Sequence, residues 1–467
     1  MIDPHKIEKK RYYMTKTTRR TFLGTTAAGA FFIPARTLYG QELPAKQLRL
    51  AMVGAGGIGA PTCDLLCQAG ATVVALCDVN ANALAAQAKR HPGIPTYMDW
   101  RELLKHHKDF DAVAVCTPDH THAIVALHAM RLGKHVYIQK PLAHSYEECR
   151  MLMAEQARTG VVAQMGNQHH PRGKAYRILA ETGIIGDVTE VVCWTDRPGR
   201  FWRPAPKEYP KTGAFDRGFT AESWDVWLGP GPEHPCSPLI APRVWRGWWD
   251  YGTGAIGDMA IHNADPAFEA FGWGAPVSVK GICDEPVVAA FPGRAKIEMT
   301  FAPTPKCPRA VKFTWMNDSQ TPPLPKGVHP KYAFGDNGLM FIGTKGAFNG
   351  VVWGGGNPLV IAADHEWNAE TKAMQRAGAD ALKGLTFHNH FKEFVDAAKA
   401  GDPQACGSTL AYAAPFTQAL LVGAIGLRFP NRELRFDPAA GRFTNCPEAN
   451  AFLQAPARGA FSMKDFA

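Results

Sequence analysis

A six-residue glycine pattern set between a strand and a helix constrains the fold more than any bulk property of the chain. Leu48 to Val53 is a short apolar run of strand character, and it leads directly into Gly54-Ala55-Gly56-Gly57-Ile58-Gly59. A helix-compatible segment, Ala60 to Gln68, follows. G-x-G-x-x-G carries weight in this setting, after a strand and at the opening of a helix. Gly54 permits the tight turn, Gly56 lets the backbone approach a pyrophosphate, and Gly59 lets helix and strand pack closely. The helix N-terminus offers aligned N–H groups to the anion. A second strand, Thr72 to Cys77, ends at Asp78, 19 residues after Gly59. A carboxylate there can accept hydrogen bonds from a ribose diol and would repel a 2′-phosphate, so the expected cofactor is NAD rather than NADP.

A chain of 467 residues is long enough for two or three domains with substantial cores. The formal charge of +9 is mostly local. Residues 1–40 hold eight Lys/Arg against two Asp/Glu, a net +6, which leaves +3 for the rest. No basic stripe interleaved with aromatics occurs there, so no nucleic-acid partner is expected. No apolar run reaches the roughly 18 residues of a membrane span. The eleven cysteines form neither a C-x-x-C pair nor metal-ligand spacing, so neither a disulfide framework nor a metal site is expected.

Thr18-Arg19-Arg20-Thr21-Phe22-Leu23 precedes an Ala/Gly-rich apolar run from Gly24 to Ile33. Positive charge, a short apolar core and small residues read as an export signal, and the paired arginines followed by Phe-Leu resemble the twin-arginine type. Residues 1–44 are therefore assigned as signal and leader, and the periplasm as the destination. That route exports proteins already folded. It would let an enzyme acquire its nucleotide beforehand and hold it tightly where free NAD is scarce.

From residue 45 to 166, strand and helix patterns alternate, which indicates parallel strands with crossover helices. Asp111–Cys116 ends at Thr117-Pro118-Asp119-His120-Thr121-His122, a helix is expected over Ala123–Leu132, and His135–Ile138 delivers Gln139-Lys140-Pro141. Ser145 and Glu148 are spaced as a capping box. Residues 167–467 read as a second domain. Trp194 to Trp249 is rich in Pro, Gly and Trp and carries Arg197, Arg200, Arg203, Arg243 and Arg246, a stretch expected to form long loops. Strand patterns and two late helices, His388–Ala400 and Leu410–Leu427, fit an antiparallel or mixed sheet backed by helices.

Gly254 to Asp265 is the second sharp signal. Asp258 and His262 are four residues apart, with Asp265 seven from the first, so all three project from one face of a regular helix. A carboxylate and an imidazole on one stripe can work as an acid/base pair. Asn167, Gln168 and His169 follow the last strand of the first domain toward the crevice and are candidate substrate contacts. Trp248 and Trp249, just before the helix, could stack on the C–H face of a sugar or fill a core. The arginines could bind an acidic sugar or lie solvated on loops.

Taken together, Thr117 to His122, Gln139-Lys140-Pro141 and the Asp258/His262 segment resemble the glucose–fructose oxidoreductase/inositol dehydrogenase (Gfo/Idh/MocA) family. The family pattern has Glu where this chain has Gln139; Lys140 is retained. The resemblance implies an N-terminal Rossmann domain and a C-terminal α/β domain with a large open sheet. It places Lys140 and His262 beside the nicotinamide, with Asp258 nearby. Thr117, Pro118 and His122 would line the cofactor with Gly54, Gly56, Gly57, Ile58, Gly59, Asp78 and Lys140. The expected activity is NAD-dependent oxidation or reduction of a secondary hydroxyl of a sugar, glycoside or cyclitol, in a homo-oligomer. His262 would take the hydroxyl proton and Lys140 would polarise the oxygen. The alternative is redox-neutral glycoside cleavage through transient oxidation of the sugar.

Overall fold

The computed structural model describes residues 47–463 apart from 169–170, 200, 203–204, 284–287, 323–333, 351–358, 363–367 and 385–388. The leader, Arg200, Arg203 and His169 lie outside the described residues. The first sheet holds β1 (Leu48–Val53), β2 (Ala71–Cys77), β3 (Thr96–Tyr97), β4 (Ala112–Val115), β5 (His135–Gln139) and β6 (Ala163–Gly166), all parallel, in the order β3-β2-β1-β4-β5-β6. The order reverses between β1 and β4, and a ligand crevice opens beyond the strand ends at such a switch point. Helices α1 (Gly59–Gln68), α2 (Ala81–Ala88), α3 (Trp100–Lys105), α4 (Asp119–Arg131) and α5 (Tyr146–Thr159) make the crossovers. The Ser145 hydroxyl accepts from Glu148 N–H, while the Glu148 carboxylate accepts from Ser145 N–H, closing the capping box at the start of α5.

The helix expected from Ala123 begins four residues earlier, at Asp119. Its opening Asp-His-Thr-His is almost wholly buried. Residues from beyond the first sheet satisfy it: Thr253 donates to the Asp119 carboxylate, and His120 lies between the carbonyls of Trp227 and Tyr251.

After α6 (Pro171–Glu181) the second sheet begins with β7 (Val188–Trp194). α7 (Ala221–Leu228), the single turn α8 (Ile261–Asn263) and α9 (Asp265–Phe271) precede β8 (Ser278–Ile282), β9 (Lys296–Phe301), β10 (Val311–Met316), β11 (Gly338–Gly343), β12 (Gly346–Gly350) and β13 (Leu359–Ala362). Helices α10 (Ala369–Ala381), α11 (His390–Ala400) and α12 (Leu410–Ile425) lead to β14 (Glu433–Asp437) and β15 (Arg442–Phe443). The nine strands lie in the order β13-β12-β11-β7-β10-β9-β8-β14-β15, antiparallel except for the β7–β10 pair. The mixed open sheet is thus present, with β7 as an internal strand.

Two late helices tie the halves together. Phe391, Phe394 and Val395 of α11 join Leu50, Met52, Cys63 and Leu66 in one core on the α1 side of the parallel sheet. α12 packs its apolar length into the core shared by α5 and the second sheet. At its end a Cβ on Gly281 would stand 2.3 Å from the Gly426 carbonyl oxygen, so backbone meets backbone there. Among the described residues, Leu410–Arg428 is long and apolar enough to cross a membrane by length and composition, and 83% of its apolar 18-residue window is buried inside the protein.

The Pro/Gly/Trp-rich stretch is not only loops. It contains α7, and its Trp224, Trp227, Trp245 and Trp248 pack with Tyr251 in one aromatic cluster.

Candidate active site

The glycine turn closes against the neighbouring strand end. Gly54 has φ +88°, and a Cβ there would stand 2.5 Å from the Cys116 carbonyl group. A Cβ on Gly59 would collide with the Gly54 carbonyl oxygen. At Gly56 it would stand 2.9 Å from the Ala83 side chain and 3.5 Å from Asp78 Oδ2. Gly57 (φ +52°) borders open space, and Ile58 is exposed. No side chain caps the first turn of α1. This cradle fits a dinucleotide pyrophosphate: the backbone is bare where the anion must approach, and the helix N–H groups are available to it.

Asp78 is built into the turn. Its Oδ2 accepts from Ala55 N–H (2.8 Å) and Gly56 N–H (2.9 Å), and its Oδ1 accepts from Asn80 N–H (2.8 Å). Burial pushes its carboxyl up, and these three donors oppose the shift. The carboxylate therefore shapes the glycine loop as well as standing at the ribose position.

The acid/base cluster forms where β5 ends. Lys140 Nζ donates to Asp258 Oδ1 and to the Asp258 backbone carbonyl, both at 2.7 Å. Arg246 Nε lies 3.6 Å from the same carboxylate. Burial alone would raise the Asp258 carboxyl, but Lys140 and Arg246 together hold it well below the usual carboxylate range. Asp258 is therefore an anion at any ordinary pH, and the pair leaves little net charge.

His262 is buried, and its Nδ1 lies 2.9 Å from the Asn167 carbonyl oxygen. A carbonyl only accepts, so Nδ1 carries the proton and the lone pair of the neutral ring sits on Nε2. The Asn167 side chain in turn donates to Asp265 Oδ1 at 2.9 Å, and Tyr412 donates to the same oxygen at 2.7 Å. A residue following the last strand of the first sheet thus orients the imidazole through its backbone.

Several sequence expectations need correction. Asp258 lies in a π-helical turn, Ile256–Ala260, ahead of the short α8, so the segment is not one regular helix. Asp265 is accordingly engaged with Asn167 and Tyr412 rather than with the acid/base stripe. Trp248 is completely buried; its indole stacks on Tyr209 at 4.1 Å and donates to the Leu239 carbonyl. Trp249 is buried between the Phe291 ring and the Arg428 guanidinium. Neither indole has a face to offer a sugar.

His122 is buried with Nδ1 2.7 Å from the Pro141 carbonyl and Nε2 2.8 Å from the Thr117 carbonyl. Burial pushes it down to about 4, so the ring is neutral and donates to one of these two carbonyls; it is a buried prop of the two loops rather than a polar contact for the cofactor. Thr117 and Pro118 remain partly exposed at the end of β4, and Gln168 is partly buried with φ +65°. Arg246, for which the sequence left acidic-sugar binding and a solvated loop both open, stands beside the Asp258 carboxylate, a placement that its position three residues before Trp249 does not reveal. Among the described residues no group of His, Cys, Asp and Glu side chains could hold a metal ion, and all eleven cysteines are free thiols.

A parallel 3-2-1-4-5-6 sheet with a bare glycine cradle at its switch point, and a Lys–Asp–His cluster at the next strand end, define a dinucleotide-binding fold. Residues 48–167 match the NAD-binding Rossmann model of the Gfo/Idh/MocA oxidoreductase family, and residues 219–306 match that family's C-terminal alpha/beta model. Two separate parts of the chain thus match models of one family, Gfo/Idh/MocA. It is 36% identical over 146 residues to an inositol 2-dehydrogenase of Klebsiella pneumoniae, a match covering 30% of this chain and 42% of that one. An alpha-N-acetylgalactosaminidase of Bacteroides fragilis is 31% identical over 158 residues, covering 32% and 37%. The matches thus span under half the length of these curated relatives. Among solved structures, the WlbA dehydrogenase of Bordetella pertussis, in complex with NADH and UDP-GlcNAcA, superposes with a TM-score of 0.55 at 17% identity. That likeness covers 84% of this chain and 99% of the other.

Proposed function

We propose that the protein is an NAD-dependent oxidoreductase acting on a secondary hydroxyl of a sugar, glycoside or cyclitol. The observation that carries this reading is the Lys140–Asp258 pair at the end of β5, with His262 close enough to act on the same carboxylate and its Nδ1 turned to the Asn167 carbonyl. Gly54, Gly56, Gly59 and Asp78 would hold NAD, and its nicotinamide, when bound, supplies the hydride acceptor. His262 Nε2 removes the hydroxyl proton as the C–H bond gives up its hydride, near the neutral pH where an ordinary imidazole is a competent base. The Lys140 ammonium, already neutralised by Asp258, polarises the same oxygen and stabilises charge as it develops. Asn167 keeps the imidazole turned.

The similarity to an alpha-N-acetylgalactosaminidase favours a second reading on the same residues. Transient oxidation of a hydroxyl acidifies the neighbouring C–H, the glycosidic substituent is eliminated, and the hydride then returns. An exported enzyme that keeps its nucleotide suits such a redox-neutral cycle. We infer periplasmic export from the twin-arginine pattern at Arg19-Arg20, and pairing of subunits through the open face of the nine-stranded sheet from the family resemblance. The test is to mix purified protein with neutral and acidic sugars and their aryl glycosides, with no nucleotide added, following nicotinamide absorbance and aglycone release. Nicotinamide reduction without cleavage supports the first reading, and cleavage without net reduction the second. Neither signal from any sugar would overturn both.

A further inference from the structure

Of the five arginines in the Trp-rich stretch, Arg243 is exposed, and Arg200 and Arg203 lie outside the described residues. Arg246 reaches Asp258, and Arg197 is near enough to feel the same carboxylate. Arg246 rests its guanidinium 4.2 Å above the Trp245 ring. Its one polar contact among the described residues is the 3.6 Å approach of Nε to Asp258, too long for a hydrogen bond. That carboxylate oxygen already takes the Lys140 ammonium at 2.7 Å. The two terminal nitrogens of Arg246, the fork that grips a carboxylate in bidentate fashion, have no partner among the described residues. Arg197 is nine-tenths buried, gives Nη1 to Asp196 at 2.5 Å, and packs over the Phe201 ring. Its Nε is buried with no hydrogen-bond partner among the described residues.

We propose that this cluster takes a sugar bearing a carboxylate, anchored by Arg246 and flanked by Arg197. The proposal rests on the oxidoreductase reading of the same site and names its substrate class. Three carboxylates, Asp196, Asp258 and Asp119, stand near the three cations Lys140, Arg197 and Arg246, but none of them hydrogen-bonds the Arg246 fork: Asp119 accepts from Thr253 and Asp258 from Lys140. A neutral hydroxyl would occupy one donor of that fork and leave the other. A carboxylate answers the paired donors of a planar guanidinium at once. The indole beneath Arg246 keeps the fork from collapsing onto Asp258 and lowers the ordering cost of binding.

The experiment measures binding of glucuronate, galacturonate and mannuronate against glucose, galactose and mannose, by tryptophan fluorescence on the protein as purified. The same pairs, as methyl glycosides, are followed for single-turnover nicotinamide reduction. One acid should bind roughly 10- to 100-fold more tightly than its parent sugar, as expected for a charge-assisted pair. The difference should shrink at high salt. Arg246→Gln should abolish most of that preference and Arg246→Lys restore part of it, with nucleotide content and melting temperature reporting the fold. Equal affinity for acid and parent sugar, or a preference that survives Arg246→Gln combined with Arg197→Gln, overturns the proposal. If a preferred acid binds through Arg246 but reduces no nicotinamide, the carboxylate site stands and the oxidoreductase reading falls. If neutral sugars reduce it as well as acids do, the reverse holds.

Discussion

Asp78→Asn separates two jobs that one carboxylate performs. Of the roughly four lone-pair positions on a carboxylate, Ala55 and Gly56 N–H fill the two on Oδ2, and Asn80 N–H takes one on Oδ1. One position remains, enough for a single ribose hydroxyl. Asparagine can keep its amide oxygen at the Oδ2 place and so hold Ala55 and Gly56, but it puts an NH₂ where Oδ1 was, facing the Asn80 N–H that Oδ1 accepted. The ribose then loses a charged acceptor, worth about 1.5–3 kcal/mol or a roughly 10- to 150-fold weaker NAD complex. A 2′-phosphate would meet no anion, so NADP should lose far less. Asp78→Ala, by contrast, strands the Ala55 and Gly56 donors beside the pyrophosphate site and should weaken both nucleotides. The assay is equilibrium titration of NAD and NADP into nucleotide-stripped protein of each variant. An unchanged NADP-to-NAD affinity ratio in Asp78→Asn would refute the argument and place ribose recognition elsewhere.

Lys140→Ala and His262→Ala should each lower single-turnover nicotinamide reduction by roughly 10²- to 10⁴-fold while retaining bound nucleotide. The double variant should be only slightly worse than either, since both act on one proton; near-wild-type reduction in either single variant would put the chemistry on other residues. Burial pushes the Glu148 carboxyl up to about 8 from an ordinary 4.5. The folded state therefore holds a proton that the unfolded chain has released, and stability should fall as pH rises through that window, by up to about 1.4 kcal/mol per pH unit. Glu148→Gln should remove this component of the slope, which urea midpoints across the window would show; parallel slopes in the two proteins would contradict it. Replacing Arg19 and Arg20 by Lys should leave precursor in the cytoplasm with its nucleotide bound, as fractionation would reveal, and normal export of that variant would eliminate the twin-arginine reading.

The first sheet was legible because its signals are local. Glycine spacing, the Ser145/Glu148 box and apolar runs of strand length each act within a few residues. Asp119 to His122 misled for the opposite reason: four polar side chains read as a loop, but the Tyr251–Thr253 segment and Trp227 satisfy two of them from far along the chain. β7 escaped notice because Val191–Trp194 is buried without a break and shows no alternation. Lys140, Asp258 and His262 could be named from sequence, but not the face they share, because a π-turn does not keep the helical period. Nor does composition say whether an indole faces a sugar or, as Trp248 does, a tyrosine.

The seating of α11 on the parallel sheet also sets an order of events during synthesis. The apolar side of β1 and α1 stays open to water until residues 390–398 have been made, since Phe391, Phe394 and Val395 are what cover it. A fragment ending near Gly166 would carry the whole glycine fingerprint yet expose that patch, a surface prone to self-association. The sheet that carries the fingerprint is therefore fully covered only once α11 has been made. A fingerprint near the start of the chain is completed by helices near its end.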